Sequence, residues 1–518
     1  MKNKLVYILF LLLAVVLSGT YFYTLDSKLD LNGDNASYII LARNMSNGLG
    51  YANVSVDGIK PASHFPPGYS FILSIFIRLG IDNLLFFKVL NAIFLFASLC
   101  LLFIVFNRVT KQQWLSFSIA VLCCFSTQLL HFAGMAMSEM SYMFFTVFGI
   151  YSIWKYSENE QTPWYKSPWF WLSAVSAVAA YHIRTVGMAL ILSAVIFFLF
   201  RKEWLQAAVS MCTQIALMLP WIIRNKLLGI ESRYFGTIMT VNPWRPEEGT
   251  ISSVSEFIEK MWTNIDQTVI AGFPQVLFPF AFTETNDPSG VGGILFGILI
   301  LAIVVWGAWN TGKLRWLMLA LLAGNIGLFA LWHGGNGTRY VTPIIPLVYF
   351  WFYNGIFSVF KLILKDKLAE DTKWGLILLF LCLAMIKPLQ TMHKQSAQPY
   401  NPAYRNYFYM AKELNRKLPQ GTVIACRKPE LFLYYAPKLY TVYYLYDTNP
   451  DNVIADMVKK KVDYVVLEQL GYSSTPRYLY PAIQARPQLF PIVWQLQKPD
   501  TYLLKFEREQ AEILLSNN

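Results

Sequence analysis

The chain has 518 residues, 55% of them hydrophobic and only 14% charged, with a mean hydropathy of +0.39. A soluble domain carries about a quarter charged residues, so a water-soluble globule is excluded and lipid must be the solvent for much of the surface. The net charge of +12 does not point to a nucleic-acid partner, because Lys and Arg gather in short clusters between apolar runs, the pattern of retained cytoplasmic turns.

Apolar runs suited to crossing a hydrocarbon core are predicted near residues 5–24, 84–107, 114–133, 138–156, 168–183, 186–200, 204–224, 290–309, 313–332, 340–361 and 374–388. A backbone in lipid must satisfy its own hydrogen bonds, so these eleven segments read as helices. The pair covering 168–200 is short, which leaves one of them open as a re-entrant element. The first run follows Lys2 and Lys4; it is long for a signal peptide and lacks a clean small-residue cleavage site, so it reads as an uncleaved span. With the amino terminus cytoplasmic, the inside turns hold Arg108 and Lys111, Lys155 and Lys166, Arg201 and Lys202, Lys313 and Arg315, and Lys361, Lys365, Lys367 and Lys373. The short outside turns hold little more than Arg184 and Arg339. That asymmetry sets the expected orientation.

Four segments then fall outside: a first loop over 25–83, a second over 225–289, a short turn over 332–340 and a tail from 389. Within the first loop, Pro67 to Gly80 is apolar but too short to span, and reads as a helix lying in the interface. The second loop carries Pro243, Trp244, Arg245 and Pro246. The tail changes composition. Strand-like runs at Thr422–Cys426, Tyr440–Tyr446, Asp463–Glu468, Pro491–Leu496 and Tyr502–Phe506 alternate with helix-like stretches such as Asn452–Lys461. The expected fold is mainly α: a polytopic membrane helical bundle of about eleven spans over 1–388, with a small C-terminal α/β extracytoplasmic domain over 389–518. Cys100, Cys123, Cys124, Cys212 and Cys382 lie in apolar runs, Cys426 lies in the tail, and no CxxC spacing occurs. They read as packing residues.

The unusual polar residues cluster at the outer ends of the predicted spans. Asp34, His64 and Tyr69 are in the first loop, Glu139 opens the fourth span, and His182 and Arg184 end the fifth. Arg224 and Asn225 close the seventh, while His333, Arg339 and Tyr340 lie between the ninth and tenth. Such a set reads as the rim of a cavity open to the outside and to lipid headgroups. Each residue has a plainer reading as well. Asp34 suits a cap before a helix near Ala36, Glu139 suits a helix dipole, Arg339 suits an interfacial anchor, and lone histidines are commonly structural. Neither His64 nor His182 has a second histidine at ligand spacing, so no strong protein-encoded metal site is read.

Gly33-Asp34 with Tyr38, Pro66-Pro67-Gly68-Tyr69, Ser138-Glu139, Pro220-Trp221-Ile222-Ile223-Arg224-Asn225, and Arg339-Tyr340 followed by Pro343 and Pro346 together resemble the GT-C class of membrane glycosyltransferases. The resemblance covers about residues 5–361 and is to the branch with aminoarabinose transferases and protein O-mannosyltransferases. It implies a polyprenyl-phosphate sugar as donor, a lipid, glycan or protein as acceptor, and a bacterial cytoplasmic membrane as location. It further implies Asp34 as catalytic base with Glu139 the next candidate, inversion at the anomeric carbon, and Arg339, Arg184 or Arg224 on the donor phosphate. His64, Tyr69, His182, Asn225, His333 and Tyr340 would line the cavity. No cofactor is required by the residues; a divalent metal, if one takes part, would fall to Asp34 and Glu139. Two departures matter. Ser63-His64-Phe65 stands where some branches have Glu-Lys before the double proline, and Asn35 follows Asp34 where many protein mannosyltransferases have Glu. The alternative class is a transporter or lipid flippase with a partner-binding tail, which would favour inverted repeats and mid-membrane polar residues.

Overall fold

The computed structural model describes residues 2–159, 161–230, 234–242, 245–282, 287–332, 337–364 and 371–516. Lys365, Lys367, Pro243, Trp244 and His333 lie outside the described residues.

Helix forms at each of the eleven apolar runs. α1 (Lys2–Thr24) leads into the first loop, which holds α2 (Asp34–Ser46), the hairpin β1 (Ala52–Ser55) and β2 (Gly58–Pro61), and α3 (Gly68–Arg78). The hairpin was not expected, although Asp57-Gly58 is a recognised turn pair. α3 is the short apolar helix expected after the double proline. It buries Tyr69, Ser70, Leu73 and Ser74 and exposes Phe71 and Ile75 on its other side.

α4 (Leu84–Thr110) starts where Asn83 accepts the Phe86 N–H at 3.1 Å. α5 (Gln113–Cys123) and α6 (Thr127–Ala133) are one predicted span bent by 60°, the break marked by the Ser126 cap. α7 (Glu139–Glu158), α8 (Pro168–Ile183), α9 (Met188–Phe200) and α10 (Trp204–Leu227) follow. Helices Val291–Trp309, Arg315–Leu331, Ile345–Leu364 and Asp371–Ala384 complete the set.

Among the described residues seven helices are long and apolar enough to cross a membrane by themselves, or eight if the bent pair counts as one span. The expected eleven is therefore reduced on this measure. α8 and α9 have only 16 and 13 residues, short of the roughly 20 a span needs. α7 carries Glu139, Lys155 and Glu158. These three pack on one another, with α7 also on α4 and α9 on helix Arg315–Leu331, instead of facing lipid all round.

Gly68 fixes how α3 meets α8. A methyl group there would lie 2.7 Å from the His182 carbonyl oxygen and 2.8 Å from Ile183 Cγ1. The obstacle is backbone, which cannot swing aside. Gly68→Ala is expected to destabilise the protein by about 1–3 kcal/mol, read as a lower melting temperature of the purified chain. An unchanged value would mean that α3 and α8 separate easily.

The segment over 225–289 is more structured than its loop reading. It contains Tyr234–Met239, Val254–Ile265, a π-helical turn Asp266–Ile270 and Gly272–Leu277. Ser253 caps Val254–Ile265 by accepting the Glu256 N–H at 3.2 Å, and Val254, Ile258 and Trp262 form an exposed apolar stripe.

After helix Ile386–Ala397 come Pro402–Lys417 and a five-stranded sheet in the order β4-β3-β5-β7-β6. Its strands are β3 (Val423–Ala425), β4 (Tyr440–Val442), β5 (Tyr464–Leu467), β6 (Ile492–Leu496) and β7 (Thr501–Lys505). β3 pairs parallel with β4 and β5, while β7 pairs antiparallel with β5 and β6. Helices Pro429–Tyr435 and Pro450–Lys459 connect the parallel strands, giving the small α/β unit read from the sequence. Pro429–Tyr435 packs directly on α2, so the α/β unit touches the first loop at the start of α2.

Candidate active site

Four segments far apart in the sequence deliver four charged residues to one place. Asp34 opens α2. The turn before it is built by Asn32, whose side-chain oxygen accepts the Asp34 N–H at 2.9 Å, and by Gly33 in the left-handed region at φ 95°. The plainer reading of Asp34 as a cap therefore does not describe it: Gly33 occupies the cap position. The Asp34 carboxylate instead accepts Arg339 Nη2 at 2.6 Å.

Arg339 ends a short 3-10 turn, Gly337–Arg339. Its Nε also faces Glu139 Oε1 at 3.5 Å. Glu139 begins α7, and the same oxygen accepts Arg184 Nη1 at 2.7 Å from the end of α8. Arg184 Nη1 reaches Ser138 Oγ at 3.2 Å, and Ser138 Oγ lies 3.2 Å from the Tyr38 hydroxyl one turn along α2. The result is a continuous path Asp34–Arg339–Glu139–Arg184–Ser138–Tyr38.

Exposure differs along this path. The Asp34 and Arg339 side chains are 29% and 26% exposed, Arg184 17%, and Glu139 0%. Only the Asp34–Arg339 end is well placed to meet a substrate. Burial disfavours the charge on Arg339, but Glu139 and Asp34 together outweigh it and hold the guanidinium above its ordinary range. Burial also pushes the Tyr38 and Tyr69 phenols up, so both serve at neutral pH as hydroxyls and not as bases.

The aromatic wall beside the acids comes from the double-proline motif. Tyr38 packs on Phe65 at 4.6 Å and edge-on to Tyr69 at 5.1 Å, and Tyr51 donates its hydroxyl to the Phe65 carbonyl at 2.8 Å. Tyr69 is fully buried and accepts Asn91 Nδ2 at 3.1 Å. Asn91 also donates to the carbonyls of Met135 and Met137, at 2.6 and 2.9 Å. A buried amide inside α4 thus holds the connection that presents Ser138 and Glu139. Asn91 is not among the candidates read from the sequence, although a polar residue within an apolar span is a visible signal.

The remaining predicted residues are distributed around this core. Arg224 donates to the Tyr51 carbonyl at 2.8 Å and to Asn225 Oδ1 at 2.8 Å, and stacks on Trp221 at 4.7 Å. It is tied to the hairpin side of the first loop, apart from the Asp34 path. His182 meets Trp221 edge-on at 6.4 Å. His64 is exposed and packs on Phe65 at 4.4 Å. Tyr340, half-buried, lies parallel to Phe329 at 6.4 Å. His333 lies outside the described residues. Among the described residues no three His, Cys, Asp or Glu gather as a metal site, and Asp34 and Glu139 each face arginine.

Comparison with known proteins places this geometry in context. The family described as dolichyl-phosphate-mannose-protein mannosyltransferase matches residues 56–230. ArnT from Cupriavidus metallidurans in the apo state superposes with a TM-score of 0.58 at 12% identity, over 98% of this chain and 99% of that one. The chain has the GT-C fold. ArnT bound to undecaprenyl phosphate gives a TM-score of 0.56 at 12% identity, covering 96% of this chain and 97% of that one. The oligosaccharyltransferase of Archaeoglobus fulgidus in complex with Zn and sulfate gives 0.58 at 13% identity, covering 96% and 72%. No curated protein matches the sequence.

Proposed function

We propose that this GT-C protein is a glycosyltransferase that moves a sugar from a polyprenyl phosphate to an acceptor hydroxyl at the outer face of a bacterial cytoplasmic membrane. The observation that carries the reading is the Asp34–Arg339–Glu139–Arg184 path, whose one accessible end pairs an acid with an arginine. The mannosyltransferase family match over 56–230 and the fold shared with ArnT, one structure of which is bound to undecaprenyl phosphate, support a lipid-phosphate donor.

In the proposed reaction the acceptor oxygen attacks the anomeric carbon and gives its proton to Asp34. The bond from that carbon to the phosphate oxygen breaks, and the polyprenyl phosphate leaves with the electron pair. One base and one displacement invert the anomeric centre. Charge builds on the leaving phosphate, where a planar guanidinium stabilises it by paired hydrogen bonds. Arg339 is suited to that task. It is already engaged with Asp34, so donor phosphate competes for the same N–H groups. As they turn to phosphate, the Asp34 oxygens are freed for the acceptor hydroxyl. Glu139, wholly buried, serves by holding Arg184 and Arg339 in place and not by moving a proton. Arg224 serves the hairpin side of the first loop.

The test is mass spectrometry of envelope lipids and glycans from cells with and without the chain, which should reveal one missing sugar. An identical profile would sink the reading. Orientation is tested separately. Basic residues mark the turns near Arg201 and Lys313 as cytoplasmic, so a reporter fused at residue 500 is expected to signal the outer compartment. A cytoplasmic signal would put the Asp34 site on the wrong side for an outer-face acceptor.

A further inference from the structure

The α/β unit grips the turn that presents Asp34. Lys428, which follows β3 and precedes helix Pro429–Tyr435, donates Nζ to the Asn32 carbonyl at 2.6 Å. Its own backbone is fixed by Tyr407, whose hydroxyl donates to the Lys428 carbonyl at 3.0 Å and accepts its N–H at 3.3 Å. Glu430 lies against Gly33 so closely that a methyl group on Gly33 would overlap its carboxylate. Tyr443 donates to Glu430 Oε2 at 2.7 Å. Arg43 of α2 sits 5.0 Å over the Tyr434 ring.

Lys428 and Glu430 are only 11% and 14% exposed, and their own charged atoms are 3.8 Å apart. Two charges buried at a junction are a costly way to make surfaces adhere, since apolar contacts do so without the desolvation penalty. What charged groups add is direction. The Lys428 ammonium is aimed at a single carbonyl, two residues before Asp34, and Asn32 in turn holds the Asp34 amide.

We propose that Lys428 and Glu430 are positioning residues for Asp34: by locking the Asn32–Gly33 turn they aim its carboxylate. The α/β unit would then be part of the catalytic apparatus, and the inference rests on Asp34 being the base. Misplacement of a reacting group by about 1 Å can cost a hundredfold in rate, so loss of one of two grips should cost about tenfold.

The full-length chain in membranes serves for the test, with transfer measured from the membranes' own polyprenyl-phosphate sugar pool. Lys428→Met is expected to slow single-turnover transfer about tenfold, to leave affinity for undecaprenyl phosphate unchanged, and to raise hydrogen exchange in the peptide covering residues 30–38. Lys428→Arg should recover part of the rate, because it restores a cation that can reach the Asn32 carbonyl. If Lys428→Met does not fold, Glu430→Ala carries the same three readouts. A wild-type rate, or a rate loss matched by an equal loss of undecaprenyl-phosphate affinity, overturns the proposal. Asp34→Asn separates the two levels. A silent Asp34→Asn removes the base reading and the positioning role together; a dead Asp34→Asn beside a silent Lys428→Met removes the positioning role alone.

Discussion

Asp34→Asn is expected to slow transfer by about a hundredfold or more, the usual scale for a lost general base. The substitution keeps the shape of the side chain and one oxygen for Arg339, which now donates to Asp34 at 2.6 Å. It removes the proton acceptor. The fold should tolerate it, because the turn is made by Asn32 and Gly33 and the Asp34 side chain is 29% exposed. Single-turnover transfer and a melting curve on the same preparation check both halves. A near-wild-type rate would leave the base to be sought elsewhere, and wholly buried Glu139 could fill the role only if the site opened.

Arg339→Ala is expected to be at least as severe, and in two ways. The arginine joins Asp34 to Glu139, so its loss removes the proposed phosphate ligand and half of the charge around a buried carboxylate. Arg184 remains on Glu139 at 2.7 Å, which should keep the chain folded but less stable. Donor affinity and the chemical step should both fall, because the phosphate gains charge as it leaves. Arg339→Lys keeps the charge without the planar fork, so it should rescue in part. Arg224→Ala should do less, since Arg224 bonds to Tyr51 and Asn225 away from the acids. A crippled Arg224→Ala beside a silent Arg339→Ala would move the phosphate to the other arginine.

These residues were visible in the sequence for a simple reason. Charges are rare in a chain with 14% charged residues, and the alternation of apolar runs and loops assigns Asp34, Glu139, Arg184 and Arg339 to one side of the predicted spans. Hydropathy could not tell that Arg224 turns toward Tyr51, because the direction of a side chain at a helix end depends on what the loop opposite offers. The tail strands were legible too, as β-branched and aromatic runs such as Tyr464–Leu467 between polar turns. Val254–Ile265 was missed even though Ser253 and Glu256 have capping-box spacing. Half of its twelve residues are apolar, which does not stand out in a chain that is itself 55% hydrophobic. Lys428 and Glu430 left no trace, since one more lysine and one more glutamate in a polar tail look like ordinary solvated charges. Their meaning lies in what they touch, and the hydrogen bond from Lys428 joins residues 396 positions apart.

That separation sets a clock on the protein's own synthesis. A ribosome adds about 5–20 residues per second, so the Asn32–Gly33–Asp34 turn waits on the order of half a minute before Lys428 exists to hold it. The helices that carry Glu139, Arg184 and Arg339 are all made first. Between the synthesis of Arg339 and that of Lys428 a growing chain would hold both acids and both arginines of the path without the grip of the α/β unit on the first loop.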